Sequence, residues 1–124
     1  MLDIRFYSTT GKAPGTLDLS ESFYQWLLKS EFSKIGISRP QTIRLDEEEV
    51  LLQVVDLNKG QVPNRHRFRA FLVEAIVQES NRMLTQLGEA PSPQTYQTES
   101  HTLRNLQQLR HYIEDEAYQF LERV

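Results

Sequence analysis

Residues 46–60, DEEEVLLQVVDLNKG, decide how much sheet this chain can form. The alternation of Val50, Leu52 and Val54 is typical of a buried strand. Acids at 46–49 instead favour a helix start, where the positive end of the helix dipole stabilises them, and Gly60 is well placed to end a helix. Helical spacing also fits the apolar residues Val50, Leu51, Val54, Val55 and Leu57. We favour a helix over 47–57 and keep a strand as the alternative.

Two shorter stretches before this segment predict strands. Residues 2–7, LDIRFY, alternate between apolar and polar side chains, as in a half-buried strand. Residues 39–45, RPQTIRL, are extended because Pro40 disfavours helix at the residue before it, and they are a candidate partner for the first strand. Residues 8–16, STTGKAPGT, predict a loop, and it lacks the second half of a phosphate-binding loop.

A first helix is predicted between these strands. Residues 18–21, DLSE, have the spacing of a capping box, with Asp18 as the cap and Glu21 three positions later. Phe23, Trp26, Leu27 and Phe32 lie near one side of the helix, and Gly36 ends it. We interpret Trp26 as a core anchor rather than as a ligand platform.

The longest predicted helix covers residues 65–87 and begins in the basic stretch PNRHRFRAF, residues 63–71. Its apolar arc is wide enough for a central helix, and Gly88 ends it. The arc consists of Phe68, Phe71, Leu72, Val73, Ala75, Ile76, Val77, Met83, Leu84 and Leu87.

The chain ends with a predicted loop and a predicted helix. Residues 89–99 are polar, contain two prolines, and predict an exposed loop. A last helix is expected over 100–123, antiparallel to the preceding one. Its seam has the spacing of a coiled coil interrupted by Arg110, and we favour packing on the preceding helix over dimerisation. The seam consists of Leu103, Leu106, Arg110, Ile113, Ala117, Phe120 and Val124.

The expected fold is therefore a single helix-rich α+β domain over residues 1–124. One or two short N-terminal strands precede a helical layer closed by two long antiparallel C-terminal helices. At 124 residues, the chain is long enough to bury a core without covalent staples.

Composition excludes several kinds of site. The chain has no cysteine, which excludes disulfides, thiolate metal sites and cysteine nucleophiles. Its three histidines never stand four residues apart, and His111 with Asp115 supplies only two metal ligands. The serines lie mostly at helix starts and in loops, without a nucleophile-elbow motif. We therefore expect no metal, no cofactor and no enzymatic activity.

The charge distribution argues against a membrane or duplex DNA as the main partner. A net charge of −3 creates no global positive field. Charges at Asp3 and Arg5 interrupt any signal peptide, and no apolar segment is long enough to span a bilayer. A cytoplasmic protein is expected.

The basic stretch at 65–69 is the best candidate for binding an anion. Arg65 and Arg69 share one helix face, whereas Arg67 points roughly 200° away from Arg65. First-turn amide groups could add to the attraction of an anion. The opposed charge runs at 46–49 and 65–69 could also pair, within the chain or between subunits.

These observations favour a small non-catalytic interaction or regulatory module that acts through a protein partner or through self-association. A nucleic-acid- or phosphate-binding accessory protein that uses the Arg65/Arg69 helix start is the alternative. The candidate partner- or anion-binding residues are Arg65, Arg67, Arg69, Arg110 and His111.

Overall fold

The computed structural model describes residues 2–45, 47–87 and 93–123. Its elements are, in chain order, β1 (Leu2–Tyr7), β2 (Gly15–Leu19), α1 (Glu21–Lys29), a 3₁₀ helix (Glu31–Lys34), β3 (Arg39–Leu45), β4 (Glu48–Asp56), α2 (Asn64–Leu87), α3 (Pro93–Glu114) and β5 (Phe120–Arg123). The α+β class is confirmed, but the expected helix-rich balance with one or two short N-terminal strands is wrong.

The strands form one five-stranded antiparallel sheet in the order β2-β1-β5-β4-β3. The last strand of the chain lies at the centre of this sheet. Leu121 of β5 is opposite both Phe6 of β1 and Val55 of β4. The sheet therefore joins residues from both ends of the chain.

The predicted helix over 47–57 is wrong, because these residues form β4 in a hairpin with β3. Val55 packs into the core under the helices, whereas Val54 packs with Ile43 and Tyr7 in a second apolar cluster. Strand β4 therefore has apolar residues on both faces, and their order along the chain resembles the spacing of apolar residues in a helix. Glu47 has a positive φ of 70° in the hairpin turn, and Asp46 lies outside the described residues.

Strand β3 is confirmed, but its predicted partner is wrong. It pairs with β4 instead of β1 and forms one edge of the sheet. Pro40 lacks a backbone N–H and is compatible with this edge position.

The predicted loop at 8–16 is partly wrong, because β2 begins at Gly15, and the predicted cap at Asp18 is wrong. Asp18 lies in β2 directly opposite Asp3. The α1 cap is Ser20, whose hydroxyl oxygen accepts a hydrogen bond from the Phe23 N–H at 3.3 Å. Trp26 in α1 is 38% exposed and stacks on Phe23, so it lies at the edge of the core rather than anchoring it.

The two long helices pack antiparallel, as predicted. The start of α2 contacts the end of α3, since Arg69 and Glu114 form an ion pair. The helix expected over 65–87 is confirmed with its start at Asn64. The loop predicted at 89–99 is wrong from residue 93 onward, where α3 has already begun, and residues 88–92 lie outside the described residues.

The predicted last helix over 100–123 ends early, at Glu114. The Asp115 carboxylate accepts a hydrogen bond from the Ala117 N–H at 3.0 Å and stabilises a turn there, after which β5 begins. The seam residues Leu106 and Ile113 are fully buried in the chain's own core, which supports packing on the preceding helix.

The main core lies between the helices and one face of the sheet. Its fully buried members come from all layers: Ile4, Phe6, Leu19, Val55 and Leu121 from the sheet, Leu27 from α1, Phe68 and Leu72 from α2, and Leu106, Leu109 and Ile113 from α3. No helix in the described part of the chain has the length and apolar character needed to cross a membrane.

Candidate functional site: a cationic cleft beside strand β3

Arg65, the first candidate for anion binding, is a buried structural residue. It is only 9% exposed, and its Nη1 donates to the carbonyl oxygens of Ile113 at 2.6 Å and Asp115 at 3.0 Å. Its Nη2 donates to the carbonyl oxygen of Tyr118. Burial lowers the pKa of Arg65, although nearby acids oppose this shift. The guanidinium therefore caps the end of α3, where helix carbonyls lack partners.

The first-turn amides of α2 are also occupied. The N–H groups of Asn64 and Arg65 donate to the carbonyl oxygens of Lys59 and Leu57 at 3.0 and 2.7 Å. Those of His66 and Arg67 donate to the Pro63 carbonyl oxygen at 2.9 and 3.2 Å. An anion at this helix start would find no free backbone donor among these four, so the predicted contribution of the helix start is wrong.

Arg69 and Arg110 share one acid on the helix surface. Their Nε atoms lie 2.7 and 3.1 Å from Oε1 of Glu114. The hydrogen bond from Arg69, followed by that from Arg110, lowers the pKa of Glu114. The Arg65/Arg69 pair is consequently not an open anion site, and neither arginine pairs with the acids at 47–49.

His111 is exposed on α3, beside a shallow groove formed with Thr16, Leu17 and Tyr112. The acid four residues later, Asp115, lies 2.6 Å from Lys12 Nζ, and this hydrogen bond is the main reason for the lowered pKa of Asp115. Within the described ranges, no three acids or histidines come together as metal ligands.

Lys12 in the glycine-containing loop is likewise engaged. Besides its ion pair with Asp115, its Nζ lies 4.7 Å from the centre of the Tyr118 ring. A cavity of about 590 Å³ lies between this loop and the β3–β4 hairpin, with Arg44 and Glu47 in its wall. Its two cations are Lys12 and Arg44, and because Lys12 is paired with Asp115, Arg44 is the one unpaired cation in the described wall.

The remaining basic-stretch residue, Arg67, lines a different cavity of about 310 Å³. We call this cavity the cationic cleft. Three cations, Arg39, Lys59 and Arg67, line it together with Asp56. The rest of its wall consists of Gly36, Ile37, Pro40, Gln41, Val54, Gly60, Asn64 and Phe120.

Four chain segments position the cations of the cleft. Arg39 is the first residue of β3 and lies opposite Val54 of β4. Lys59 follows β4 in a turn that is held because Asn64 Nδ2 donates to the Asp56 carbonyl oxygen at 2.9 Å. Arg67 lies one turn into α2, with Nη1 3.5 Å from Asn64 Oδ1. Phe120 at the start of β5 supplies the apolar floor together with Val54.

Arg123, which the sequence did not single out, holds the segment that ends at Gly36, and Gly36 is part of the cleft wall. Its guanidinium donates to the carbonyl oxygens of Phe32 at 2.8 Å, Ile35 at 2.9 Å and Gly36 at 3.4 Å. Burial lowers the pKa of Arg123. Like Arg65, it is a structural arginine that satisfies backbone carbonyls.

The cations of the cleft are not neutralised by the protein. In the part of the chain that the structure describes, the side chains of Arg39 and Lys59 form neither an ion pair nor a hydrogen bond. The side chain of Arg67 forms a hydrogen bond with Asn64 alone and no ion pair. Asp56 forms no ion pair with any of them, although it lines the same cavity. Unpaired guanidinium and ammonium groups around an apolar floor can bind a phosphate or carboxylate group.

Of the five residues that the sequence marked as candidates, the structure places Arg67 alone in the cleft. Sequence reasoning missed Arg39, Lys59 and Asp56 as site residues, because Arg39 is distant in sequence from the other two and meets them only when β3 and β4 form a hairpin. The glycines at 36 and 60, which flank this hairpin, were the available signal.

Comparisons of the chain with protein-family models, with curated proteins and with solved structures found no match.

Proposed function

We propose that this protein is a non-catalytic binding module that recognises a small anionic compound in the cationic cleft. The observation that carries the proposal is the presence of three cations, Arg39, Lys59 and Arg67, in the wall of one cavity without an acid paired to any of them. The chain as a whole has a net charge of −3, so the positive charge of the cleft contrasts with the average for the chain.

The shape and chemistry of the cleft support a small ligand. Arginine presents a planar fork of donors that matches phosphate and carboxylate oxygens, and lysine adds a point charge. A volume of about 310 Å³ lies at the lower end of the range for ligand pockets, which is about 300–1,000 Å³. A duplex would instead need a row of cations along an open surface, so the proposal replaces nucleic-acid binding through Arg65 and Arg69.

The composition of the wall supports binding without chemistry. The polar groups of the described wall are guanidinium, ammonium, amide and one carboxylate. Nucleophilic catalysis by a hydroxyl or thiol would require Ser, Thr or Cys beside a base, and the described wall contains no Ser, Thr, Cys or His.

Calorimetric titration with ethyl phosphate tests the proposal. The double variant Arg39→Gln/Arg67→Gln should bind at least about tenfold more weakly than the wild type, because a hydrogen bond to a charged group contributes about 1.5–3 kcal/mol. The matched control Arg44→Gln/Arg104→Gln removes the same charge from exposed residues outside the cleft and should leave the affinity within about twofold. Absence of binding to the wild type at low salt, or equal losses in both variants, would contradict the proposal.

Self-association is a second candidate function, supported by one observation on α2. Val77 and Leu84 are one heptad apart, on the same side of the helix, and are 53% and 65% exposed. A second copy of the chain could cover this apolar pair. Light scattering should then give the mass of a dimer for the wild type and of a single chain for Val77→Glu/Leu84→Glu. A single-chain mass for the wild type at high concentration would contradict this candidate.

A further inference from the structure

Asp56 is the one acid in the wall of the cationic cleft, and its position is fixed. It is directly opposite Phe120 in the β4–β5 pair, and it follows Val54 on the same face of β4. Its backbone carbonyl accepts hydrogen bonds from Asn64 Nδ2 at 2.9 Å and from the Lys59 N–H at 3.3 Å. The β4 end and the following turn therefore hold this residue against the floor of the cleft.

One oxygen of the Asp56 carboxylate is used by the protein and the other is not. Oδ1 accepts a hydrogen bond from the Asn58 N–H at 2.9 Å, whereas Oδ2 has no partner in the described part of the chain. The three cations of the cleft also leave Asp56 unpaired. The cleft thus holds two separate charged features: a group of three cations, and a half-buried carboxylate with one oxygen that has no hydrogen-bond partner within the described residues.

A ligand that carried only negative charge would be repelled by Asp56 and would also remove water from its free oxygen. A charged acceptor that loses its water without gaining a new partner opposes binding. A ligand with a cationic donor near its anionic group would remove this penalty and would form a charge-assisted hydrogen bond. The free oxygen of Asp56 would therefore favour a ligand with a cationic donor over a ligand that is only anionic.

We infer that the ligand of the cleft is a small phosphate monoester that also carries an ammonium group, with the phosphate facing Arg39, Lys59 and Arg67 and the ammonium group facing Asp56. This inference rests on the proposed function. A phosphate monoester carries almost two negative charges at neutral pH and matches three cations better than a carboxylate does. The ligand class is therefore the phosphorylated amino alcohols.

Titration with two matched probes tests this inference. Ethyl phosphate and phosphoethanolamine differ only by the amino group at the end of the same short chain. The wild type should bind phosphoethanolamine about tenfold more tightly, the gain expected from one charge-assisted hydrogen bond. Asp56→Asn keeps an oxygen for the Asn58 N–H but loses the charge, so it should abolish the preference and bind ethyl phosphate more tightly than the wild type does.

The possible outcomes separate this inference from the proposed function. If the wild type binds ethyl phosphate at least as tightly as phosphoethanolamine, or if Asp56→Asn keeps the preference, the role of Asp56 is refuted while the anion site stands. If neither probe binds, the proposed function fails as well. A thermal unfolding curve for Asp56→Asn that matches the wild type ensures that the comparison reports on binding.

Phosphoethanolamine also occurs as the headgroup of a lipid, so an experiment with vesicles distinguishes a lipid ligand from a free monoester. Vesicles of phosphatidylethanolamine in phosphatidylcholine present the headgroup as a diester, which has only one negative charge. We expect no cosedimentation of the protein with these vesicles. Cosedimentation that Asp56→Asn abolishes would overturn the assignment to a free monoester.

Discussion

At the scale of single residues, the role of each arginine is decided by the acceptors that the fold places around it. Arg65 is buried and Arg123 half-buried, and both donate to backbone carbonyls. Arg69 and Arg110 share Glu114, whereas Arg67 faces the cationic cleft. The sequence correctly predicted that Arg65 and Arg67 point to different sides of the helix. It could not predict that Arg65 is buried, because its acceptors come from residues 48 to 53 positions later.

Arg65→Met should lower the free energy of unfolding by about 3 kcal/mol. The methionine replaces the apolar stem but leaves the carbonyl oxygens of Ile113, Asp115 and Tyr118 without their donor, and a buried acceptor without a partner costs about 1–3 kcal/mol. Urea denaturation measures the change. Arg69→Met removes an exposed ion pair and should cost less than about 1 kcal/mol. Equal losses in the two variants would contradict the structural role of Arg65.

Asp18→Asn should raise the unfolding temperature at neutral pH. Asp18 lies opposite Asp3, and a side-chain hydrogen bond with Asp3, followed by the charge of Asp3, raises the pKa of Asp18 above its ordinary value of 3.8. A carboxyl with a raised pKa favours folding below its ordinary pKa, and this contribution is lost as the pH rises through the raised value. At neutral pH the two carboxylates oppose folding, and asparagine removes that repulsion.

Thermal unfolding of Asp18→Asn and wild type at pH 7 and pH 3 measures this effect. The difference in midpoint should be largest at pH 7 and should shrink at pH 3, where the wild-type carboxyl is protonated. Glu48→Gln removes one charge from the exposed β3–β4 hairpin and controls for net charge. A difference that grows toward acid pH would contradict the account.

At the scale of elements, the sequence predicted the segments whose burial is one-sided. Strand β1 alternates with a clear period, with Ile4 and Phe6 in the main core and its last residue, Tyr7, in the second cluster. Helix α2 has one apolar face, and both elements were predicted nearly to their ends. Strand β4 was mistaken for a helix because it supplies apolar residues to clusters on both faces of the sheet. Strand β5 was read as a helix end because Ala117 and Phe120 continue the three-four spacing of the apolar residues in α3.

Gly36, between the 3₁₀ helix and β3, should tolerate substitution poorly. Its φ is +69°, and an added Cβ would lie 2.6 Å from Val55 Cγ1. Gly36→Ala should lower the free energy of unfolding by about 3 kcal/mol, from left-handed strain of about 1–2 kcal/mol together with overpacking. Gly11 has a φ of +91° but nothing within 4 Å, so Gly11→Ala isolates the strain and should cost only about 1–2 kcal/mol.

Urea denaturation of the two alanine variants separates strain from packing. The close contact with Val55 is specific to Gly36, so the account requires the larger loss there. An equal or larger loss for Gly11→Ala would show that the turn before β3 is not packed against β4 as described.

At the scale of the whole molecule, the sheet order was the feature that the sequence did not reveal. Strand β5 lies between β1 and β4, and its pairing with β1 joins residues more than 110 positions apart. Periodicity describes local structure and carries no information about which strands meet. The cationic cleft depends on the pairing of β4 with β3 and β5, because its wall combines β3, β4, the start of α2 and the start of β5.

A titration of the ¹⁵N-labelled protein with ethyl phosphate, followed by amide chemical shifts, shows whether the cationic cleft binds a small phosphate. We expect saturable shifts concentrated at Gly36, Gln41, Lys59, Gly60 and Arg67, which line the cleft. Shifts concentrated instead around Arg69 and Glu114, or no saturable shift at low salt, would contradict it.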